Sequence, residues 1–313
     1  LRKIKIGLAL GGGAARGLAH VGVIRVLEKA GIPIRVVAGT SMGALIGAKY
    51  ALNPHADVLE EDVSSFLNSQ VFKEVQKDFG RESEEESGFF FHLARFISQK
   101  VIYTLALTQR SLIKGDTIQK VMEFFFPDIP VEFTRLPFAA TAVDLKTGGE
   151  VALKGGPLRK VIAASCALPG VLPPVELGDY ELVDGGWLNL VPGDVTRFLG
   201  ADMVIGVCVS SGVEDFTQWN NCVEILSRAD EITRHYLGKL RLRECDVLIT
   251  PQVADIEWNQ FTRAREAIKA GEEAALKALP TIRRLIKRCK WKRWLPQRSP
   301  EECLTCIPFE VYP

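Results

Sequence analysis

Near its start the chain passes twice from a short apolar strand through a glycine-rich loop into a helix. The run Lys3–Leu10 ends at the loop Gly11-Gly12-Gly13-Ala14-Ala15-Arg16-Gly17. Leu18, Val21, Ile24 and Leu27 then recur at helical spacing until Gly31, with Pro33 just beyond. The second passage is the apolar run Ile34–Ala38, a turn over Gly39–Gly43 and a small-residue helix over Met42–Leu52. Strands that are apolar on both faces and alternate with helices pair in parallel, through right-handed crossovers. That arrangement excludes an all-helical bundle and an all-β sandwich.

The alternation continues downstream. Large apolar groups fill a helical pattern over 89–126, and an acidic loop, Arg81–Ser87, precedes it. Strands are expected at Pro137–Val143 and Gly149–Leu153, on either side of the Gly178-Asp179 turn, at Asp202–Val209 and at Val247–Thr250. A helix starts near Pro157, and long helices are expected at about 220–243 and 262–279. With no repeat and no linker composition, this predicts one α/β domain with a parallel sheet at its centre.

Composition matters for the exclusions. The 313 residues are 47% hydrophobic and 25% charged, the profile of a globular chain long enough to bury a core unaided. Net charge is +1, so nothing points to nucleic acid. The balance is uneven, however. Residues 274–300 carry nine basic groups and no acid, leaving 30 basic against 38 acidic residues elsewhere, a net −8. Seven scattered cysteines do not form a disulfide framework, so a reducing, cytoplasmic compartment is expected. No apolar run reaches the roughly 20 residues of a membrane-spanning helix.

Gly39-Thr40-Ser41-Met42-Gly43 has the G-x-S-x-G spacing, placed between a strand and a helix. In that context a sharp turn lifts the serine hydroxyl clear of the sheet, and the two glycines remove side chains that would collide. The loop at 11–17 does not fit a dinucleotide fingerprint, because Arg16 stands where the third glycine belongs. It does not fit a phosphate loop of the G-x-x-x-x-G-K type either, because Leu18 follows Gly17. Consecutive side-chain-free amides do suit an oxyanion hole. For the base, two arrangements stay open on spacing. One is a Ser41, Asp184, His235 triad. The other is a Ser41–Asp184 dyad built on Asp184-Gly185-Gly186. A nucleotide-binding regulatory protein is a third reading, from a different class.

Four segments resemble the patatin-like phospholipase family, in particular its bacterial members related to neuropathy target esterase. They are GLALGGGAARGLAHVGVIRV (Gly7–Val26), VAGTSMGALIGA (Val37–Ala48), AASCALPGVLPPV (Ala163–Val175) and LVDGGWLNLVP (Leu182–Pro192). The resemblance covers about residues 4–210 and implies a lipid acyl hydrolase of the patatin-like fold, a three-layer α/β/α sandwich with a mostly parallel central sheet. By it, Ser41 is the nucleophile and Asp184 its base, with Gly11, Gly12 and Gly13 forming the oxyanion hole. Arg16, Gly17, Gly39, Gly43, Gly185 and Gly186 support the motifs. His20 is then structural, and His235 an ordinary helix residue. No cofactor or metal is implied, and Cys303 and Cys306 make at most half a zinc site.

Two expectations lie outside the motifs. Residues 89–107 would form an apolar cover or acyl-chain channel over the site. The domain would end near 280, with 281–313 a basic tail containing Trp291 and Trp294. In that tail the helical face Ile282, Leu285, Ile286, Cys289 and the cations through Arg298 (residues 282–298) would bring the protein to an anionic membrane, peripherally at the inner surface.

Overall fold

The computed structural model of the chain describes residues 4–78, 115–210, 212, 222–292 and 309–312. The first strand, β1 (Ile6–Leu10), leads through a 3-10 turn at Ala14–Leu18 into α1 (Ala19–Lys29). β2 (Ile34–Thr40) and α2 (Met42–Leu52) repeat the pattern. Then come α3 (Ala56–Leu67), α4 (Gln70–Asp78), α5 (Gly115–Phe125), β3 (Phe138–Asp144), β4 (Glu150–Leu153) and α6 (Leu158–Ser165). A hairpin of β5 (Val175–Leu177) and β6 (Tyr180–Asp184) precedes α7 (Gly193–Phe198) and β7 (Met203–Val207). The last elements are α8 (Cys222–Arg241), β8 (Val247–Ile249), α9 (Ala264–Lys292) and β9 (Phe309–Tyr312).

The strands form one mixed sheet in the order β5-β6-β3-β2-β1-β7-β8, with β4 on β3 and β9 on β4. Pairing is parallel from β3 through β2, β1 and β7 to β8, and antiparallel for β3 with β4, β3 with β6 and β5 with β6. Helices cover both faces, as the alternation predicts. On one face Ile6, Leu8 and Leu10 of β1 enter the large core shared with α1 and α2. On the other, Gly7 lies against Thr196 of α7, and Ala9 packs with Val191 and Val204. Small residues on that face let α7 sit close to the sheet.

The register of β3 brings two chain ends together. Thr40 of β2 pairs with Thr141, and Asp184 of β6 pairs with Ala142, the next residue of β3. The opposite edge of β3 is occupied by β4 over Ala140–Val143. A strand has only two hydrogen-bonding edges, so β2 and β6 lie on the same edge of β3. They run toward each other, and their C-terminal ends meet.

Two expectations for the C-terminal part need correction. The helix does not stop at 279 but runs to Lys292, so the boundary at 280/281 falls inside α9. β9 then returns to the sheet beside β4. The face that was to enter a membrane is also turned inward: Ile282 is buried in the core, and Leu285 and Ile286 pack against it. Among the residues of that stretch whose burial is described, Arg283, Arg284, Lys287 and Arg288 face solvent. The expected loop at 81–87, the apolar cover at 89–107, residues 293–298 and the Cys303/Cys306 pair lie outside the described residues.

Candidate active site

Ser41 stands between β2 and α2 with φ 55° and ψ −125°, a backbone conformation that L-residues rarely adopt. Its carbonyl already accepts from the amides of Ala44 and Leu45, so the helix begins at the serine itself. The turn is tight enough that a side chain at Gly39 would collide with the Gly43 carbonyl, and one at Gly43 with the carbonyls of Leu10 and Gly11. The G-x-S-x-G spacing is therefore a packing requirement here. The Ser41 amide is itself tied down, donating to Oγ of the buried Ser165 at 3.0 Å.

Asp184, only 3% exposed, ends β6. Its Oδ1 accepts from the Gly186 amide at 2.7 Å, and the Ser41 hydroxyl lies close enough to favour its ionised form. Burial pushes its pKa up to about 6, against the opposing pull of Ser41, the Gly186 amide and the nearby charge of Arg234. A brace holds the two loops together. Thr40 donates to the carbonyl of Asn189 at 2.8 Å, and Thr141 Oγ1 lies 2.7 Å from Thr40 Oγ1. Because Thr40 has one proton and gives it to Asn189, Thr141 is the donor within the threonine pair.

Behind this brace lies a buried ionic cluster. Arg241 at the end of α8 sits 2.7 Å from both Glu150 and Asp194, and the Asn189 side chain donates to both carboxylates at 2.7 and 2.8 Å. Burial raises the Glu150 pKa to about 7, with Arg241 pulling the other way.

The glycine loop passes directly over Ser41, and a Cβ on Gly12 would sit 3.3 Å from that of the serine. His20 donates from Nε2 to the Gly11 carbonyl at 2.7 Å; burial lowers its pKa to about 4 and keeps it neutral. Arg16 clamps the loop from the other side, donating to the Ile256 carbonyl at 2.5 Å. The expectation that Gly11, Gly12 and Gly13 all supply oxyanion donors is revised. The Gly11 amide donates to Val207 at 2.9 Å and that of Gly12 to Leu190 at 3.0 Å, so both are committed to the scaffold. Among the described residues, the loop amides that donate to no protein acceptor are those of Gly13 and Ala14.

His235 also lines the cavity above Ser41, from α8. Among the described residues, however, no imidazole is hydrogen-bonded to Ser41 or Asp184, and the side chain that most favours the ionised Asp184 carboxylate is the Ser41 hydroxyl. Two cavities meet at the serine. The larger, about 860 Å³, is walled on one side by α8, including Arg228, Arg234 and Lys239. The smaller, about 170 Å³, is lined by Leu45, Phe66, Phe72, Met122, Phe125 and other apolar groups. Ser41, Leu168 and Trp258 border both.

The chain matches the patatin-like phospholipase family over residues 8–196, more than half its length. It belongs to that family. The patatin-like chain is 29% identical over 255 residues to the patatin-like phospholipase domain-containing protein 6 of Homo sapiens, covering 80% of this chain and 16% of that protein. It is 31% identical over 209 residues to an uncharacterised NTE family protein of Mycobacterium tuberculosis, covering 66% of this chain and 49% of that one. The chain thus spans about a sixth of the human relative and about half of the mycobacterial one. The crystal structure of VipD from Legionella pneumophila aligns with 90% of this chain and 67% of its own, at 14% identity and a TM-score of 0.43.

Thr40, Ser165, Asn189, Arg234 and Arg241 carry no role in the sequence reading. Thr40, Ser165 and Asn189 lie inside the motif segments and were legible as part of them. Arg234 and Arg241 come from a helix beyond the matched region and had no such signal.

Proposed function

We propose that this patatin-like chain is a serine lipid acyl hydrolase working through a Ser41–Asp184 dyad. The observation that carries the reading is that Ser41 and the buried carboxylate of Asp184 stand at the ends of two strands that meet along one edge of β3, border the same cavity, and interact so that the serine hydroxyl favours the ionised carboxylate. As the Ser41 Oγ–carbon bond forms, the serine proton passes to Asp184 and the carbonyl oxygen becomes an oxyanion held by the amides of Gly13 and Ala14. Collapse breaks the ester C–O bond, and Asp184 returns the proton to the departing alkoxide. Water then gives a proton to Asp184 and attacks the acyl-serine, and that proton goes back to Ser41 as the fatty acid leaves. The strained serine, fixed at its amide by Ser165, is held ready for this exchange.

The two cavities support a substrate with unlike arms. The acyl chain fits the small apolar cavity, and the polar alcohol portion fits the larger cavity under α8. A phospholipid or lysophospholipid has that form. The exposed cations Arg283, Arg284, Lys287 and Arg288 add a salt-sensitive attraction to anionic lipid surfaces. The test is a hydrolysis panel of lysophospholipids, phospholipids and neutral glycerides, run with the wild type and Ser41→Ala. Release of fatty acid by the wild type alone supports the proposal; equal release by both contradicts it.

A further inference from the structure

The helix α8 is built inside out. Ser227, Arg234 and Gly238 turn inward and wall the cavity that contains Ser41. Ile232, Tyr236 and Leu240 recur at four-residue spacing on the other side, with Ile225 two turns before Ile232 and Leu226 beside it, and Ile225, Leu226, Ile232, Tyr236 and Leu240 are 54, 67, 40, 64 and 54% exposed. A helix packed on a water-soluble domain normally turns its apolar stripe inward, and contiguous exposed apolar patches mark interaction sites.

We propose that the outward stripe of α8 docks the protein on a lipid bilayer surface, with the stripe entering the acyl boundary. This rests on the lipid-hydrolase reading above. The occupant follows from continuity, because the same helix presents one face to the apolar surface and the other to the reacting serine. A lipid leaving the bilayer beside α8 has a short path to Ser41. Trp258, 44% exposed, borders both cavities and adds an amphipathic ring at their mouth. The exposed cations Lys239 and Arg243 flank the stripe at its C-terminal end, where lipid phosphates would lie. A second copy of the chain fits less well, since five residues are far fewer than the roughly 20 a side of a stable protein interface.

The experiment is sedimentation of the full chain with pure phosphatidylcholine vesicles in about 0.5 M NaCl, where the basic face of α9 is screened. The wild type should co-sediment. The triple variant Leu226→Ser, Ile232→Ser, Leu240→Ser should partition at least roughly tenfold more weakly, with turnover of a soluble short-chain ester within about twofold of wild type. Leu226→Trp, which deletes no apolar area, should bind more tightly. Failure of the wild type to bind, or wild-type binding by the triple variant, overturns the proposal. So does loss of soluble-ester turnover in the triple variant, which would make the stripe structural. A concentration-dependent dimer in light scattering that the triple variant abolishes would assign the stripe to self-association instead. Ser41→Ala should bind as wild type. Vesicle binding by a wild type that hydrolyses no ester would sink the hydrolase reading and leave the docking surface standing.

Discussion

Thr40 donates its hydroxyl to the carbonyl of Asn189 at 2.8 Å, joining the residue before the serine to the loop that leaves Asp184. The bond is buried and takes the only proton Thr40 has. Thr40→Val keeps the shape but strands the Asn189 carbonyl and the Thr141 hydroxyl, at a cost of about 1–3 kcal/mol. The expected result is a lower melting temperature and about a tenfold fall in kcat with little change in KM, if the brace sets the geometry of the proposed dyad. Thr40→Ser should recover most of both. Equal kcat in Thr40→Val and wild type would show that the brace does not position the dyad.

In the proposed dyad Asp184 must be ionised to take the serine proton. With its pKa raised to about 6, kcat/KM should climb with pH through about 6 and level off above it. Arg234, stacked 4.5 Å from the Trp187 ring centroid, is a cation that favours the ionised form. Removing it in Arg234→Met should move the acid limb to higher pH. A limb that stays in place, or moves down, would contradict this assignment.

The same buried carboxylate should cost stability. Its pKa is higher in the folded chain than in the unfolded one, so the folded state binds more protons between pH 3.8 and about 6. Stability is therefore lost as pH rises through that window, by up to about 3 kcal/mol at pH 8. Asp184→Asn keeps an acceptor for the Gly186 amide without the charge. It should be inactive and melt higher than wild type at pH 8, with the gap closing toward pH 4. A variant that melts lower at pH 8 would show that the charge is not a burden.

Arg241 answers to two buried carboxylates at once. Arg241→Met leaves Glu150 and Asp194 facing each other without a cation, and a buried pair broken in this way costs about 3–5 kcal/mol. The loss should be larger at pH 9 than at pH 6, because Glu150, raised to about 7, is still partly protonated at the lower pH. Chemical denaturation at the two pH values measures it, and a pH-independent loss would contradict the account.

What was legible in the sequence was local. The strand, glycine turn and helix around Ser41 follow from side-chain size and chain direction, and so does the parallel centre of the sheet. The meeting of Ser41 with Asp184 was not readable from spacing, because it depends on β6 running antiparallel along the edge of β3 that β2 has just left. Only the family resemblance joined them. Gly11 and Gly12 looked like oxyanion donors because the bare run of glycines says nothing about where each amide points; their partners, Val207 and Leu190, lie 196 and 178 residues further along the chain. The face Ile282, Leu285, Ile286 had the periodicity of a membrane helix, but that pattern fits a core-facing helix equally well, and here the core takes it. The outward stripe of α8 escaped notice for the converse reason, since apolar spacing alone does not reveal which side of a helix meets solvent.

The central claim is that Ser41 is the nucleophile that Asp184 activates. Its most direct test is labelling of the intact chain with a fluorophosphonate, followed by peptide mass spectrometry. The account predicts one adduct, on Ser41, that is absent from Ser41→Ala and forms far more slowly in Asp184→Asn. An adduct on another residue, or labelling of Ser41→Ala at the wild-type rate, would contradict it.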